Sequence, residues 1–340
     1  MKKEVKIGSI TIGGNNPIAI QSMTNTYTED TQKTIKQIKE LMTAGCDLVR
    51  ISIPTSKALA SFKKIRKALP AVPLIADIHF DHRMAIGAVE AGANKIRINP
   101  GNIGDDKKLE EIIKACKANG NVPIRVGVNA GSSNKSIIKL AEEYINFFEE
   151  RAYENLVISV KSSSVPETIL AYEQISAKYP YPLHVGITEA GPEFSGAIKS
   201  AVGIGAILAK GMGDTIRVSL TAAPEREVYV AKKILQALGL RQLGPEIISC
   251  PTCGRTEIDI IGIANEVEKK AEKYKQPIKI AVMGCVVNGP GEAKHADYGI
   301  AGGKKQGVIF AHGQIVKKTT EKKLVAELFK IIKADNAKKS

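Results

Sequence analysis

Eight times in succession, across residues 1–240, a short β-branched run gives way to a polar or glycine-containing turn and then to an amphipathic helical stretch. The strand candidates are PIAIQSM (17–23), DLVRISI (47–53), PLIADI (73–78), KIRINP (95–100), PIRVGVN (123–129), LVISVKS (156–162), LHVGITEA (183–190) and TIRVSL (215–220). Between them the apolar spacing is helical: TQKTIKQIKELMTAG places Ile35, Ile38, Leu41 and Met42 on one face, and LEEIIKACKANG and REVYVAKKILQALG close on Gly120 and Gly239. Eight evenly spaced β/α units predict an α/β fold in which a parallel sheet closes into a (β/α)8 barrel of the TIM type, rather than an open doubly wound sheet. The rhythm breaks at LGLRQLGPEI (238–247), where two glycines and a proline mark a boundary. Residues 1–240 are therefore expected to form the barrel. Residues 245–340 are expected to form a smaller α+β domain with two helices, the strand PIKIAVMGC, and a hairpin turning near His312-Gly313.

The chain carries 49 Lys and Arg against 35 Asp and Glu, a net charge of +14, which raises nucleic acid as a partner. The lysines are spread along helices, there is no Trp, and few aromatics are present to stack bases, so no nucleic-acid role is expected. Basic faces of this kind also attract acidic proteins and anionic substrates. No run of apolar residues is long enough to span a bilayer, and the N-terminus MKKEVKIGSITIGG has no apolar core of a secretory signal. A cytoplasmic protein with no membrane association is expected. Its five cysteines (46, 116, 250, 253 and 285) are an odd count that argues against a disulfide framework.

In such a barrel the chemistry sits at the C-terminal ends of the strands. Those positions hold Arg50, Asp77 with His79, Arg97 with Asn99, Arg125 with Asn129, Lys161, Glu189, and Arg217 with Ser219. Five cations converge there, with only Asp77 and Glu189 expected as nearby acids. Like charges at ~4 Å repel by roughly 4 kcal/mol at an effective dielectric of 20. A filled site relieves that repulsion through charge-assisted hydrogen bonds of about 1.5–3 kcal/mol each. The expected ligand is a compact, multiply charged anion, most simply a diphosphate. Ser219 and Thr221, ahead of the last barrel helix, are expected to add backbone N–H groups. Gly203 and Gly205 in AVGIGAILAKGMGD lie inside a helical stretch and point to close packing rather than to a dinucleotide fingerprint.

The second domain holds three thiols, Cys250 and Cys253 in SCPTCGRTEID and Cys285 at the end of IKIAVMGC. Cys46 and Cys116 belong to the barrel as inert packing residues. Three thiolates suit zinc, with His295 as a fourth ligand, or an iron–sulfur cluster with one iron less firmly held. Spacing alone leaves both open. Asn288 and Glu292 lie in the adjoining turn GCVVNGPGEAKH, and Glu292 offers an exchangeable carboxylate.

CPTCGRTEID and GCVVNGPGEA resemble signatures of the bacterial 4-hydroxy-3-methylbut-2-enyl diphosphate synthase family of non-mevalonate isoprenoid biosynthesis. So do PIAIQSMTNT, VRISIP, ADIHF, IRINPGNIG, IRVGVNAGS, SVKSS, GITEAG and GMGDTIRVSL, in order along nearly the whole chain. The resemblance implies an oxidoreductase that opens the ring of 2-C-methyl-D-erythritol 2,4-cyclodiphosphate by two-electron reduction with loss of water. It implies a 4Fe-4S cluster on Cys250, Cys253 and Cys285 with Glu292 as fourth ligand. Substrate contacts fall on Arg50, His79, Arg97, Arg125, Asn129, Lys161 and Ser219, with Asn288 near the cluster and Glu189 as the proton-donating carboxylate. Ferredoxin or flavodoxin as electron donor and a homodimer are implied as well. The rival reading is a zinc-stapled TIM-barrel transferase acting on a phosphorylated substrate.

Overall fold

The computed structural model describes residues 2–129, 136–285, 296–304 and 306–339 and falls into two compact units, Met1–Arg241 and Gln242–Ser340. The first begins with an antiparallel hairpin of β1 (Glu4–Ile7) and β2 (Ile10–Gly13), turned at Gly8 with φ 61°. The alternation follows with β3 (Ala19–Met23), α1 (Thr31–Ala44), β4 (Leu48–Ser52), α2 (Ser56–Ala68), β5 (Leu74–Asp77) and α3 (His82–Glu90). It continues with β6 (Lys95–Ile98), the single turn α4 (Pro100–Ile103), α5 (Asp106–Ala118), β7 (Ile124–Asn129) and α6 (Ile137–Glu150). It ends with β8 (Leu156–Lys161), α7 (Val165–Lys178), β9 (His184–Val185), α8 (Glu193–Ala209), β10 (Thr215–Ile216) and α9 (Pro224–Ala237).

The eight strands β3 to β10 pair in parallel in the order β8-β7-β6-β5-β4-β3-β10-β9, and a parallel bridge between Ile158 and Leu183 brings the two ends together. The closed barrel is thus the one the repeat predicts. Asp30, Thr55, Asp81, Asp105 and Ser164 each cap a helix by accepting a hydrogen bond from a first-turn backbone N–H. Gly120 and Gly239 follow α5 and α9 with φ of 81° and 67°, conformations that glycine adopts without Cβ strain. In α1 the buried face is Thr34, Ile38 and Leu41, whereas Ile35 and Met42 are only half-buried.

The N-terminal hairpin has a job that its sequence did not announce. Val5, Ile7 and Ile12 pack against Ala19, Leu48, Ile75 and Val157 from the barrel interior. They plug the N-terminal end, leaving the other end for the site. Side chains paired in register across parallel strands share a face. Ser52, Asp77, Arg97, Arg125 and Val157 therefore form one inward row, and Arg50, Ile75 and Lys95 form the row beneath it.

The second unit is a five-stranded sheet in the order β11 (Glu246–Ser249), β12 (Lys279–Met283), β13 (Tyr298–Gly303), β14 (Gln306–Ala311) and β15 (Gln314–Thr320). The first three strands are parallel and the last two pairings antiparallel. Helices α10 (Ile260–Ala271) and α11 (Leu324–Lys339) share one core with the sheet, where Ile263, Val267, Leu324 and Leu328 meet Ile280, Val282, Ile300 and Ile309. The β14–β15 turn falls at His312-Gly313, both left-handed at φ 51° and 79°, as a two-residue hairpin turn requires. Among the described residues, no helix is long and apolar enough to cross a membrane.

Candidate active site: a cationic barrel mouth and a thiol-bearing sheet edge

Asp77 organises the mouth. It is 2% exposed, and its carboxylate faces Arg97 Nη1 at 3.3 Å, His79 Nε2 at 3.5 Å and Arg50 Nε at 3.8 Å. Burial pushes its pKa up, but Arg50, Arg97, His79 and Arg125 outweigh burial and hold it below the usual carboxylate range. The stabilisation this gives is fully present above the unfolded value near 3.8 and is lost as pH falls through the lower folded value. Asp77→Asn is expected to destabilise the barrel by about 3 kcal/mol at neutral pH, because it leaves buried cations without their shared counter-ion. Urea unfolding followed by circular dichroism measures this, and an unchanged midpoint would refute the assignment.

The sequence reading allowed only two acids near the five cations. The structure adds a third, Glu227 on α9, which is buried and lies 3.6 Å from Arg217 Nη2. It also accepts hydrogen bonds from Ser22 Oγ at 3.2 Å and from the backbone N–H of Leu220 at 3.0 Å. The Thr221 N–H donates to Gly191 O at 3.0 Å. The expectation that Thr221 offers its backbone N–H to an anion is therefore corrected. That donor instead ties the loop after β9 to the loop after β10. Asn99, which follows β6, caps α4 by accepting from Gly101 N–H at 3.2 Å.

Arg125 and Lys161 have no acid of their own among the described residues. Arg125 is 3% exposed, and its Nε and Nη1 have no hydrogen-bond partner among the described residues. Burial, then Arg50 and Arg97, hold its pKa well below the ordinary guanidinium value. Lys161 is held down in the same way by burial and then by Arg125, Arg217, Arg50 and Arg97. Arg50 is lowered to about 10, with burial again the largest cause. Its Nε and Nη2 rest on the Met23 thioether at 3.1 and 3.0 Å. Two glycines make room for these side chains. A Cβ at Gly186 would lie 2.6 Å from Lys161 Nζ, and one at Gly127 would lie 3.1 Å from Arg97 Nε. By contrast, a Cβ at Gly203 within α8 would strike Ile187 at 2.5 Å, so that glycine serves helix packing.

Glu189 stands exposed in the loop after β9 with φ 51°, one of four non-glycine residues with positive φ among those described. Such a conformation costs on the order of 1–3 kcal/mol and persists where its surroundings enforce it. Ser219 is half-buried in the loop after β10. The Asn129 side chain lies outside the described residues, as do Asn288, Glu292 and His295.

In the second unit, β11 and β12 run parallel with Ser249 opposite Val282. Cys250 follows β11 directly and Cys285 follows β12 by two residues, so both thiols leave the sheet at one edge. The Cys250 N–H donates to Val282 O at 3.3 Å, and Gly284 N–H donates to Cys250 Sγ at 3.2 Å. Cys253 sits in a turn closed by Thr256 N–H to Cys253 O at 3.0 Å, and Glu257 N–H ties that turn to Gly284 O at 2.9 Å. The Arg255 backbone N–H, then the Arg255 side chain and Thr256, lower the Cys253 pKa and favour its thiolate. Among the described residues, no three His, Cys, Asp or Glu side chains converge as a site for one metal ion. The donor set fits a polynuclear cluster, whose thiolates bind separate irons and need not meet at a point, and the N–H bond onto Cys250 Sγ is the outer-shell support such sulfurs use. The barrel thiols differ. Burial first pushes both Cys46 and Cys116 up to about 12.

A parallel barrel with buried cations gathered at the C-terminal ends of its strands, in a chain whose second unit carries Cys250, Cys253 and Cys285 just after its first two strands, defines a barrel enzyme of two units. Residues 2–232 match the GcpE TIM-barrel domain and residues 246–334 the GcpE protein C-terminal domain. The chain belongs to the GcpE family.

It is 54% identical over 344 residues to a 4-hydroxy-3-methylbut-2-en-1-yl diphosphate synthase (flavodoxin) of Caldanaerobacter subterraneus subsp. tengcongensis, covering 98% of this chain and 96% of that one. It is 52% identical over 342 residues to the protein of the same name from Clostridium perfringens, covering 97% of each. Among solved structures, Yersinia pestis dihydropteroate synthase superposes with a TM-score of 0.51 at 12% identity, over 71% of this chain and 100% of that one. A truncated 3-deoxy-D-arabino-heptulosonate 7-phosphate synthase from Thermotoga maritima gives 0.50 at 16%, over 70% and 94%. These two share the barrel alone. The zinc-stapled transferase reading is not favoured beside full-length relatives that carry the synthase name.

Proposed function

We propose that this chain catalyses the reductive ring opening and dehydration of 2-C-methyl-D-erythritol 2,4-cyclodiphosphate to 4-hydroxy-3-methylbut-2-enyl diphosphate. The carrying observation is family membership over both units, together with buried cations at the barrel mouth that lack enough acids to neutralise them. Arg50, His79, Arg97, Arg125, Asn129, Lys161 and Ser219 hold and orient the cyclic diphosphate, and Asn288 contributes beside the redox centre. Cys250, Cys253, Cys285 and Glu292 hold a 4Fe-4S cluster. When bound, the cluster supplies two electrons from a flavodoxin or ferredoxin and a Lewis-acidic iron. The barrel fixes the substrate against diffusion and keeps its two phosphates fully countered. A water molecule leaves with the protons that Glu189 helps deliver. Iron and sulfide analysis of protein prepared without oxygen tests the reading. Zinc without sulfide would sink it.

Glu189→Gln is expected to lower kcat by about 10²–10⁴-fold, the range for loss of a positioned acid, with little change in KM and none in iron content. An equal rise in KM would assign Glu189 to binding instead. A cytoplasmic homodimer completes the reading. It is supported by an exposed apolar stripe on α8, where Phe194, Ile198 and Val202 follow one another at helical spacing and are 81%, 52% and 58% exposed.

A further inference from the structure

One charged group in the barrel is used by none of this. Lys95 opens β6, two residues before Arg97 on the same inward face and roughly 6.6 Å deeper along the strand. It is 0% exposed, and its Nζ has no hydrogen-bond partner among the described residues. The charged groups that act on it are Arg125 on β7 and Arg50 on β4, with Arg97 two residues further along its own strand. Arg217 follows β10, and Asp77 on β5 is already engaged by Arg50, Arg97 and His79. His184 on β9 turns Nδ1 to Thr215 Oγ1 at 2.7 Å, and its Nε2 has no partner. Both side-chain polar atoms of Gln21 on β3 are also buried without partners among the described residues.

A full positive charge in that place, with no acid of its own and guanidinium groups above it, is unfavourable in the empty barrel. Burial, then Arg125 and Arg50, act in that direction on Lys95. A doubly charged anion at the mouth reverses the sign of the field the amine feels.

We propose that Lys95 is a latent cation of the anion site, uncharged while the mouth is empty and protonated when the cyclic diphosphate docks, so that binding draws a proton into the barrel. The uncharged amine keeps the empty barrel from accumulating a further buried charge. The ammonium then strengthens the anion's hold from beneath, with His184 Nε2 and Gln21 Oε1 as acceptors in the same interior. Lys95 acts through the rim and is a positioning residue.

The inference rests on the functional reading above, and its test separates the two. Each phosphorus of a cyclic diphosphate carries one strongly acidic oxygen, so the ligand does not titrate between pH 6 and 9. Titration calorimetry of the full chain with this ligand, in buffers of different ionisation enthalpy, counts the protons bound. Wild type is expected to take up close to one proton more per ligand than Lys95→Met, with Lys161 contributing equally to both. Affinity of Lys95→Met is expected to be about 5–10-fold weaker at pH 7, with the gap narrowing toward pH 9.5. Equal proton uptake by the two proteins would overturn the proposal. If Lys95→Met fails to fold, Lys95→Gln serves in the same comparison with the wild type. An affinity that is flat from pH 6 to 9 would also overturn it. A wild type that does not bind the ligand at all would sink the functional reading instead.

Discussion

Replacing Arg125 with methionine is expected to weaken binding of the cyclic diphosphate by about 10²–10³-fold and, at the same time, to stabilise the ligand-free protein. The loss follows from two charge-assisted hydrogen bonds at about 1.5–3 kcal/mol each, less the partial compensation that neighbouring cations provide. The gain follows from what Arg125 does in the empty barrel. It is 3% exposed, two of its nitrogens are unpartnered among the described residues, and burial with repulsion from Arg50 and Arg97 outweighs the attraction of Asp77. Methionine fills most of the same volume without the charge. Exchanges of buried ionic groups for apolar ones of similar size are neutral to stabilising, here by about 1–3 kcal/mol. The opposite signs are the diagnostic. A structural arginine loses stability when removed, whereas an arginine kept for an absent anion gains it. Differential scanning fluorimetry in chloride buffer, with and without the cyclic diphosphate, reads both effects. A lower melting temperature in the ligand-free variant would contradict an anion-receptive role for Arg125.

Much of this molecule was legible because its two periodicities are strong. All eight barrel strands lie within the runs read from the sequence, since each couples β-branched residues to a following amphipathic helix. What escaped lacked that signal. The plug β1–β2 is two four-residue strands around Gly8, too short to stand out although Val5 and Ile7 alternate with exposed residues. In the second unit, β11 is four residues between a proline and the thiols. β13 reads YGIAGG, a run whose glycines dilute any strand propensity. The glycine at 299 is there for packing. A Cβ would fall 2.1 Å from Phe310 Cζ.

Asp77, Arg97 and Arg125, singled out as strand-end residues, share one inward row, because strand ends are where a barrel sequence marks the positions that face its mouth. Its supports were missed for a different reason. Glu227 arrives from a helix, and nothing local marks it as an inward acid. Lys95 did leave a trace. In KIRINP the period of two puts it on the face of Arg97, but an opening lysine reads as a solvated strand end until the plug beneath it is known. The Thr221 backbone donor could not be anticipated at all, since its partner Gly191 belongs to another loop.

Cys285→Ser is expected to lose most of its iron and sulfide, and with them all turnover, while the barrel unit keeps its fold and its affinity for the cyclic diphosphate. Cys285 is buried, 4% exposed, at the sheet edge shared with Cys250. Serine is nearly isosteric there, so no cavity opens. Its hydroxyl does not ionise at neutral pH and is a hard, weak ligand where a soft thiolate is needed. Changes in outer-shell partners alone lower metal affinity about 10–100-fold, and loss of a direct ligand costs at least that much. Cys46→Ala supplies the contrast. Its thiol is buried at the N-terminal end of β4 and pushed up to about 12, chiefly by burial, so it is no ligand at neutral pH. That variant is expected to lose some stability and to keep its full iron content. The comparison separates a cluster held by the second unit from adventitious iron on free thiols, because adventitious iron would fall by a similar small fraction in any cysteine variant. Iron and sulfide retained at wild-type stoichiometry in Cys285→Ser would remove that residue from the ligand set. The three-thiol edge would then have to be explained without a cluster.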